Sequence, residues 1–307
     1  LTKVNAMKTK TLLFGAGASA KAFIVNCADN REFVGIIDND GNKKGQVIEG
    51  VVVCSPDELN LFDYSEIVIT TQWASEVEQQ LLTELKVPSD KIKIPPKHQL
   101  KKQKPPFYDQ HSRAFGRAII CGLSDIATAR DVPLVLDFGT LLGIVRDGDI
   151  IEWDDDIDMS IPEGYFEDAI GVIETFILED RSGVSWTLEK TRDKNGKGMG
   201  LVLIFTDPNN ALSIFKTTFS VREFEDGKSV HLPSLGMWFA PEHHFREVET
   251  IAWQRSIVQV PALPEAYLEF VYGEDWHTPK QNITFSDYAN TQHVEFDDFI
   301  EAGLRVE

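Results

Sequence analysis

Four aspartates fall within five residues, Asp154, Asp155, Asp156 and Asp158, directly behind Trp153. Asp154, Asp156 and Asp158 share one parity, and Ile157, Met159 and Ile161 share the other. Alternate residues of a strand face opposite sides. The apolar set can therefore pack inward while Asp156 and Asp158 project together, their Cα atoms about 6–7 Å apart. Like charges at that spacing raise each other's pKa unless a cation lies between them. A divalent ion with hard oxygen ligands answers this, and Mg²⁺ held by one or two carboxylates commonly recruits substrate phosphate too. Asp156 and Asp158 are thus the expected ligands of Mg²⁺ or Mn²⁺, with Asp154 as a further catalytic carboxylate. The alternative is a solvated acidic turn. Against it, the run passes straight into an apolar, β-like segment, and Trp153 is costly to leave in water. An EF-hand is excluded: counting from Asp154, the sixth position is Met159 and the twelfth is Tyr165, so its Gly and Glu are missing.

Upstream, Gly139-Thr140 follows the apolar run Leu134–Phe138 and precedes a short helical stretch, Leu141–Arg146. A tight turn into a helix offers free backbone N–H groups to a phosphate. Arg146 is placed to add a planar fork to the same anion; its alternative is an ion pair with Asp147 or Asp149. The alternative for Gly139 is a plain turn glycine.

A small turn at a helix start, then two carboxylates at i and i+2 seventeen residues on, resembles the nucleotidyltransferase-fold pattern. The stretch more closely resembles the LicD family, which includes the fukutin-related proteins. The family's string stands here as Gly139-Thr140-Leu141-Leu142-Gly143, then Arg146, then Trp153-Asp154-Asp155-Asp156-Ile157-Asp158. A second family string follows: Val260-Pro261, Tyr267-Leu268, Tyr272-Gly273-Glu274-Asp275-Trp276 and Pro279. The resemblance covers about residues 111–282. It implies transfer of a substituted phosphate (phosphocholine, ribitol phosphate or glycerol phosphate) from a CDP-linked donor to a sugar hydroxyl of a cell-surface glycan, such as lipopolysaccharide or capsular polysaccharide. The acceptor is a glycan, with a lipid-linked form included. In that frame Gly139, Thr140, Trp153, Tyr272 and Gly273 are substrate- or phosphate-binding candidates. A nucleotidyltransferase using CTP and a non-catalytic glycan-pathway scaffold are the rival readings.

The resemblance also implies a third carboxylate on a later strand, in a sequence like D-I-F. By position that segment is Ser213-Ile214-Phe215, so Ser213 stands where an acid is expected. Asp154, Asp207 and Glu223 are candidates for its role. His243-His244 lies before the second string; adjacent residues of a strand point apart, which argues against a joint metal site.

The elements that must position these residues read as two domains. Over residues 1–96 short apolar strands (11–14, 33–37, 51–54, 66–70, 91–94) alternate with helical stretches (21–28, 75–85) and a helix start at Ser55-Pro56. This predicts an α/β Rossmann-like domain with a parallel sheet. Gly15, Gly17 and Ala20 form a dinucleotide-type turn, and Asp38 ends the next strand. The domain resembles small Rossmann-like modules fused to sugar-modifying transferases, so a nucleotide or NAD-like ligand is one expectation and a docking role the other. Residues 97–108, bracketed by prolines and basic in the middle, read as an extended linker, with contact to an anionic membrane surface as the alternative. Residues 109–307 read as an α+β nucleotidyltransferase-fold domain, with helices at 111–130, 141–146, 166–178 and 264–271 and strands at 134–138, 157–161, 184–190, 201–205, 212–220 and 257–260.

The 307 residues carry 30 basic and 49 acidic side chains, a net charge of −19. The excess is uneven: net −2 over residues 1–100 and −17 over the remainder. That argues against nucleic-acid binding, which needs a basic footprint. No apolar run approaches the roughly 18 residues of a membrane span. Leu1 to Lys10 lacks the apolar core of a signal peptide, and Met7 is a candidate natural start. Cys27, Cys54 and Cys121 give neither a disulfide framework nor a metal spacing. A cytoplasmic protein, placed at the inner face of the membrane if the acceptor is lipid-linked, is the expectation; the oligomeric state is left open.

Overall fold

The computed structural model describes residues 8–101, 105–280, 288, 290–292, 294, 298 and 301–307. Leu1 to Met7 and residues 102–104 of the expected linker lie outside this set. The chain divides into two compact units, residues 1–103 with 280–287 and residues 104–279 with 288–307.

The first unit runs β1 (Thr9–Phe14), α1 (Ala18–Cys27), β2 (Arg31–Ile37), β3 (Val47–Ile48), β4 (Val51–Cys54), β5 (Glu66–Ile69), α2 (Ala74–Thr83) and β6 (Ile92–Lys93). The strands order as β3-β4-β2-β1-β5-β6. Every pairing is parallel except the β3–β4 hairpin. Parallel strands need helices on both faces and read as near-continuous apolar runs. Leu12-Leu13-Phe14 shows how this works. Leu12 and Phe14 join Val77 and Leu81 of α2 in one core, while Leu13 joins Ala20, Phe23 and Ile24 of α1 in the other. The unit is thus a Rossmann-like α/β layer, with its glycine turn after β1 where the strand order reverses.

Two details depart from the sequence reading. The Ser55-Pro56 start leads into a 3₁₀ segment, Pro56–Leu61, held by a capping box with Glu58. The expected extended linker is partly folded: Lys97–Leu100 forms a 3₁₀ turn, and Asn26 Nδ2 donates to the carbonyls of Gln99 and Lys101 at 3.0 and 2.7 Å. Further on, Pro106–Tyr108 is a 3₁₀ turn whose Phe107 lies within the core of the second unit.

The second unit runs α3 (Gln110–Ala129), β7 (Val135–Leu136), α4 (Phe138–Asp147), β8 (Asp156–Pro162), α5 (Phe166–Glu179), β9 (Ser185–Arg192), β10 (Gly198–Thr206), β11 (Lys216–Glu225), β12 (Lys228–His231), β13 (Phe239–Pro241), α6 (His243–Arg246), β14 (Glu249–Trp253), β15 (Ser256–Val260), α7 (Pro264–Tyr272) and β16 (Arg305–Val306). Its mixed sheet follows β14-β15-β7-β8-β11-β10-β9-β16, with β12 and β13 branching from β11. β8 and β11 are parallel and central.

Register decides what each face carries. Ile157 and Met159 lie beside Thr217 and Phe219, which lie beside Leu203 and Leu201. These side chains are buried, and on the same face Phe115 of α3 and Phe176 of α5 pack edge-on against Phe205 and Trp186. The opposite face presents Asp156, Asp158 and Ser160 from β8 beside Lys216, Thr218 and Ser220 from β11. One face is core; the other carries the polar residues.

Candidate functional site

The site is built outward from Asp137, the residue between β7 and α4. Its side chain accepts from the Phe138 N–H at 2.8 Å, an N-cap on α4. Asp137 is wholly buried, as is Arg222 of β11, whose Nε and Nη2 donate to Asp137 Oδ2 at 2.9 and 2.6 Å. Tyr267 of α7 donates its hydroxyl to Asp137 Oδ1, and Ser160 of β8 donates to Oδ2. The Arg222 guanidinium stacks over the Phe245 ring at 4.2 Å. Burial works against its charge, but the Asp137 carboxylate outweighs that and holds its pKa above the ordinary value. Burial pushes the Tyr267 phenol well up, and the Asp137 charge adds to it. This network fastens α4, α7, β8 and β11 together at one point. Phe138 has φ +42°, an uncommon conformation for an aromatic residue. Its ring lies edge-on to His231 and Trp238.

The acidic run enters as a curl before β8. Asp154 N donates to Ile151 O, and Asp155 N donates to Asp154 Oδ1 at 3.0 Å. Because the strand begins only at Asp156, alternation does not separate its neighbours. Asp154, Asp155 and Asp156, each half-buried, bring one carboxylate oxygen apiece within 4.8 Å of one another. Three hard oxygen donors converging in this way fit a Mg²⁺- or Mn²⁺-type ion. The helix start supports the convergence: a Cβ on Gly139 would collide with Asp154 Oδ2. Gly139 is therefore the gap in which the Asp154 carboxylate lies, at the end of α4 where partial positive charge favours an anion.

Several expected roles change. Asp158 shares the site face with Asp156, but it is not in the group of three; its Oδ1 accepts from Thr218 Oγ1 at 2.6 Å. Thr140 is buried, and its hydroxyl accepts from the Asp158 N–H at 2.9 Å, so it ties α4 to β8 rather than meeting a phosphate. The place expected for that phosphate, beside Gly139, holds the Asp154 carboxylate. Arg146 lies two turns along α4, about 10 Å from Gly139 by helix rise, and forks onto Asp147 at 2.9 and 2.7 Å. Trp153 packs on the core of the unit. Gly273 ends α7 at φ +86°, its N–H bonded to Glu269 O. Tyr272, the last residue of α7, lies within electrostatic range of the site. Burial raises its phenol pKa well above normal, and the charges of Asp154 and Asp158 contribute in the same direction. Tyr288 packs against it at 5.5 Å between ring centroids and meets Trp238 at 5.0 Å, forming an aromatic wall.

The expected third-acid position is corrected by register. β11 begins at Lys216, so Ser213 precedes it, its N–H donating to Ser112 Oγ at 2.8 Å. Asp207 accepts from the N–H groups of Asn209, Ala211 and Leu212 in its own turn. Glu223 points to the opposite face from Thr218 by alternation and pairs with Lys197 at 2.6 Å. Of those candidates, only Asp154 belongs to the site. His243 and His244 lie in α6, not on a strand; His244 is buried with Nδ1 2.6 Å from Ala262 O, a packing role.

In the first unit, Asp38 Oδ2 accepts from the Ala16 N–H at 2.6 Å and pairs with Lys43 at 3.0 Å. The acid that would read a ribose is thus spent on the glycine turn and on Lys43. Gly15, at φ +108°, packs against Thr70 and Thr71. Ala20 is buried under the sheet, whereas the space beside Gly17 is open.

Asp137, Asp155, Thr218, Arg222 and Tyr267 were given no site role from sequence, although Asp155 and Tyr267 stand in the two strings. Asp137 carried a signal, an N-cap type at a strand-to-helix junction. Arg222 and Thr218 carried none, since they depend on which strand neighbours β8.

Residues 131–263 match the family described as LicD/FKTN/FKRP, nucleotidyltransferase domain, and residues 7–93 match the family described as C2185-like, N-terminal. No curated protein matches the chain. Among solved structures, UDP-D-quinovosamine 4-dehydrogenase from Vibrio fischeri is similar at 21% identity, over 29% of this chain and 76% of that one, with a TM-score of 0.23. UDP-N-acetylglucosamine 3-dehydrogenase from Acidithiobacillus ferrooxidans is similar at 14% identity, over 81% of this chain and 84% of that one, with a TM-score of 0.24.

Proposed function

Because residues 131–263 form a domain of the LicD family of transferases, we propose that this chain moves a substituted phosphate from a CDP-linked donor to a sugar hydroxyl of a glycan. The observation that carries the reading is the convergence of Asp154, Asp155 and Asp156 beside the glycine-bearing start of α4. Those carboxylates would hold Mg²⁺ or Mn²⁺, and the ion would offset the charge of the donor diphosphate and of the departing CMP. Asp158, its orientation fixed by Thr218 and Thr140, borders the same face. Tyr272 and Tyr288 supply the aromatic wall against which the donor or acceptor would pack. In the reaction the acceptor oxygen bonds to the substituted phosphorus. The P–O bond to CMP breaks, CMP leaves with the electron pair, and the hydroxyl proton passes to solvent.

Phosphocholine, ribitol phosphate and glycerol phosphate are the transferred groups to screen, with free or lipid-linked glycan as acceptor. Among the described residues no helix is long and apolar enough to cross a membrane. A cytoplasmic site at the membrane's inner face accords with a lipid-linked acceptor. For the first unit we favour docking over dinucleotide binding, because Asp38 is already bonded to Ala16 of the glycine turn and to Lys43.

The test is CMP release from CDP-choline, CDP-ribitol or CDP-glycerol with acceptor glycan and Mg²⁺. Turnover should require the metal and vanish in Asp155→Asn and Asp156→Asn, two of the three converging carboxylates. Full turnover in both variants would reject the site. Pyrophosphate release from CTP would instead make the protein a nucleotidyltransferase.

A further inference from the structure

Among the described residues, the site face gathers four carboxylates. Asp154, Asp155, Asp156 and Asp158 contribute four negative charges. One divalent ion offsets half of that, and a bound diphosphate adds more. A diphosphate bound there would be held more tightly by a further cation on the same face. The nearby arginines are committed elsewhere: Arg222 is buried against Asp137, and Arg146 forks onto Asp147.

Lys216 is the cation that the sheet supplies. It opens β11 directly beside Asp156 of the parallel strand β8, in the same register that sets Thr218 beside Asp158. The Thr218–Asp158 hydrogen bond shows which face these side chains share. Lys216, two residues earlier on the same strand, projects from that face and is exposed. Among the described residues it enters no ion pair. Its four-carbon stem is long enough for the ammonium, a point charge with three donors, to reach a ligand held beside Asp156.

We propose that Lys216 is a substrate-binding residue that grips a non-bridging oxygen of the diphosphate held at Asp154–Asp156. This rests on the phosphotransfer reading and names how the donor is held. On β11 the residues facing the site are Lys216, Thr218 and Ser220, so the strand beside β8 offers a cation and two hydroxyls there, and no carboxylate. The site is accordingly built for one divalent ion, with the ammonium sharing the remaining phosphate charge.

The test uses the full chain and two probes, Mn²⁺ alone and inorganic pyrophosphate with Mn²⁺, both by calorimetry. Lys216→Met should weaken pyrophosphate binding by about 10- to 100-fold, the loss of one charge-assisted contact. Lys216→Arg should keep it within about threefold. Mn²⁺ alone should bind Lys216→Met at least as tightly as it binds the wild type, because a like charge has gone. Lys216→Glu should tighten Mn²⁺ further while losing pyrophosphate. An unchanged melting temperature in each variant is expected from so exposed a position and separates lost contact from lost fold. Pyrophosphate affinity in Lys216→Met equal to wild type, or a parallel loss of Mn²⁺ affinity, would overturn the assignment. So would a wild-type protein that binds no pyrophosphate in the presence of Mn²⁺. A wild type that shows the pyrophosphate dependence on Lys216 but releases CMP from no donor overturns the proposed reaction and leaves the Lys216 contact standing.

Discussion

Arg222 Nη2 lies 2.6 Å from Asp137 Oδ2 with both side chains closed to solvent, so one ion pair joins the middle of the sheet to the first turn of α4. Removing one partner of such a pair leaves the other charged and buried, which costs about 3–5 kcal/mol. Arg222→Met should therefore lower the urea unfolding free energy by about that amount. A loss below about 1 kcal/mol would show that the network is ornamental. Asp137→Asn should cost a similar amount, because the amide replaces a charge on which Arg222, Tyr267 and Ser160 all converge.

Gly139 is tested by the smallest change available. In Gly139→Ala the new methyl would meet the Asp154 carboxylate, which must swing away from Asp155 and Asp156. Alanine is the better helix former by about 1 kcal/mol, so the melting temperature should hold or rise. Mn²⁺ affinity, measured by calorimetry, should fall by about tenfold, as expected when one of three ligands is displaced. Unchanged Mn²⁺ binding would mean that Asp154 is not a ligand.

The placement of the acidic run was legible because its signal is local. Ile157 and Met159 bury and Asp156 and Asp158 face away, as period-two alternation requires. What alternation could not supply was the point where the strand starts. Asp154 and Asp155 precede it and curl, so the converging carboxylates are three consecutive residues rather than an i, i+2 pair. The third-acid position at Ser213 failed for a related reason. A strand start four residues from the expected 212 alters which side chains meet β8, and no short-range pattern fixes the β8–β11 register. Arg222 shows the same limit: an arginine inside an apolar strand acquires meaning only when Asp137, 85 residues away, is folded against it. In the first unit the glycine turn was legible, but the engagement of Asp38 by Ala16 of that turn and by Lys43 depends on the folded loops.

The two glycines of that turn should behave differently. Gly15 has φ +108°, and an added Cβ would sit 2.9 Å from Thr71 Cβ. Gly15→Ala combines backbone strain of about 1–3 kcal/mol with a clash, so the melting transition of the first unit should drop markedly. Gly17 has open space where its side chain would be. Gly17→Ala should leave the transition within about 0.5 kcal/mol, as for substitutions that break no special feature. Equal destabilisation by both, read by calorimetric unfolding, would contradict this packing. A dinucleotide that stabilises the wild type and not Gly17→Ala would show that the open space is a ligand site, against the docking role favoured for this unit.

His231 gives the chain an acid-sensitive term whose sign follows from its burial. Ser234 Oγ donates to the His231 carbonyl at 3.0 Å, so His231 Nδ1 donates to Ser234 Oγ at 2.8 Å. That leaves Nε2 to accept from Ser220 Oγ, also at 2.8 Å. Burial, reinforced by the Arg222 charge, lowers the imidazole from 6.5 to about 3. The folded ring is therefore neutral where the unfolded ring takes a proton. The unfolded state binds more protons between about pH 3 and 6.5, so stability is full above 6.5 and falls as the pH drops through that window. The limiting slope for one proton is about 1.4 kcal/mol per pH unit. His231→Gln removes the titration while keeping a donor and an acceptor. Between pH 5 and 6.5, above the range where most carboxylates protonate, its stability should fall less steeply than that of the wild type by up to that slope. Parallel curves in urea titrations across the window would show that the folded ring takes a proton as readily as the unfolded one, with Nε2 then donating to Ser220 Oγ while Nδ1 still donates to Ser234 Oγ.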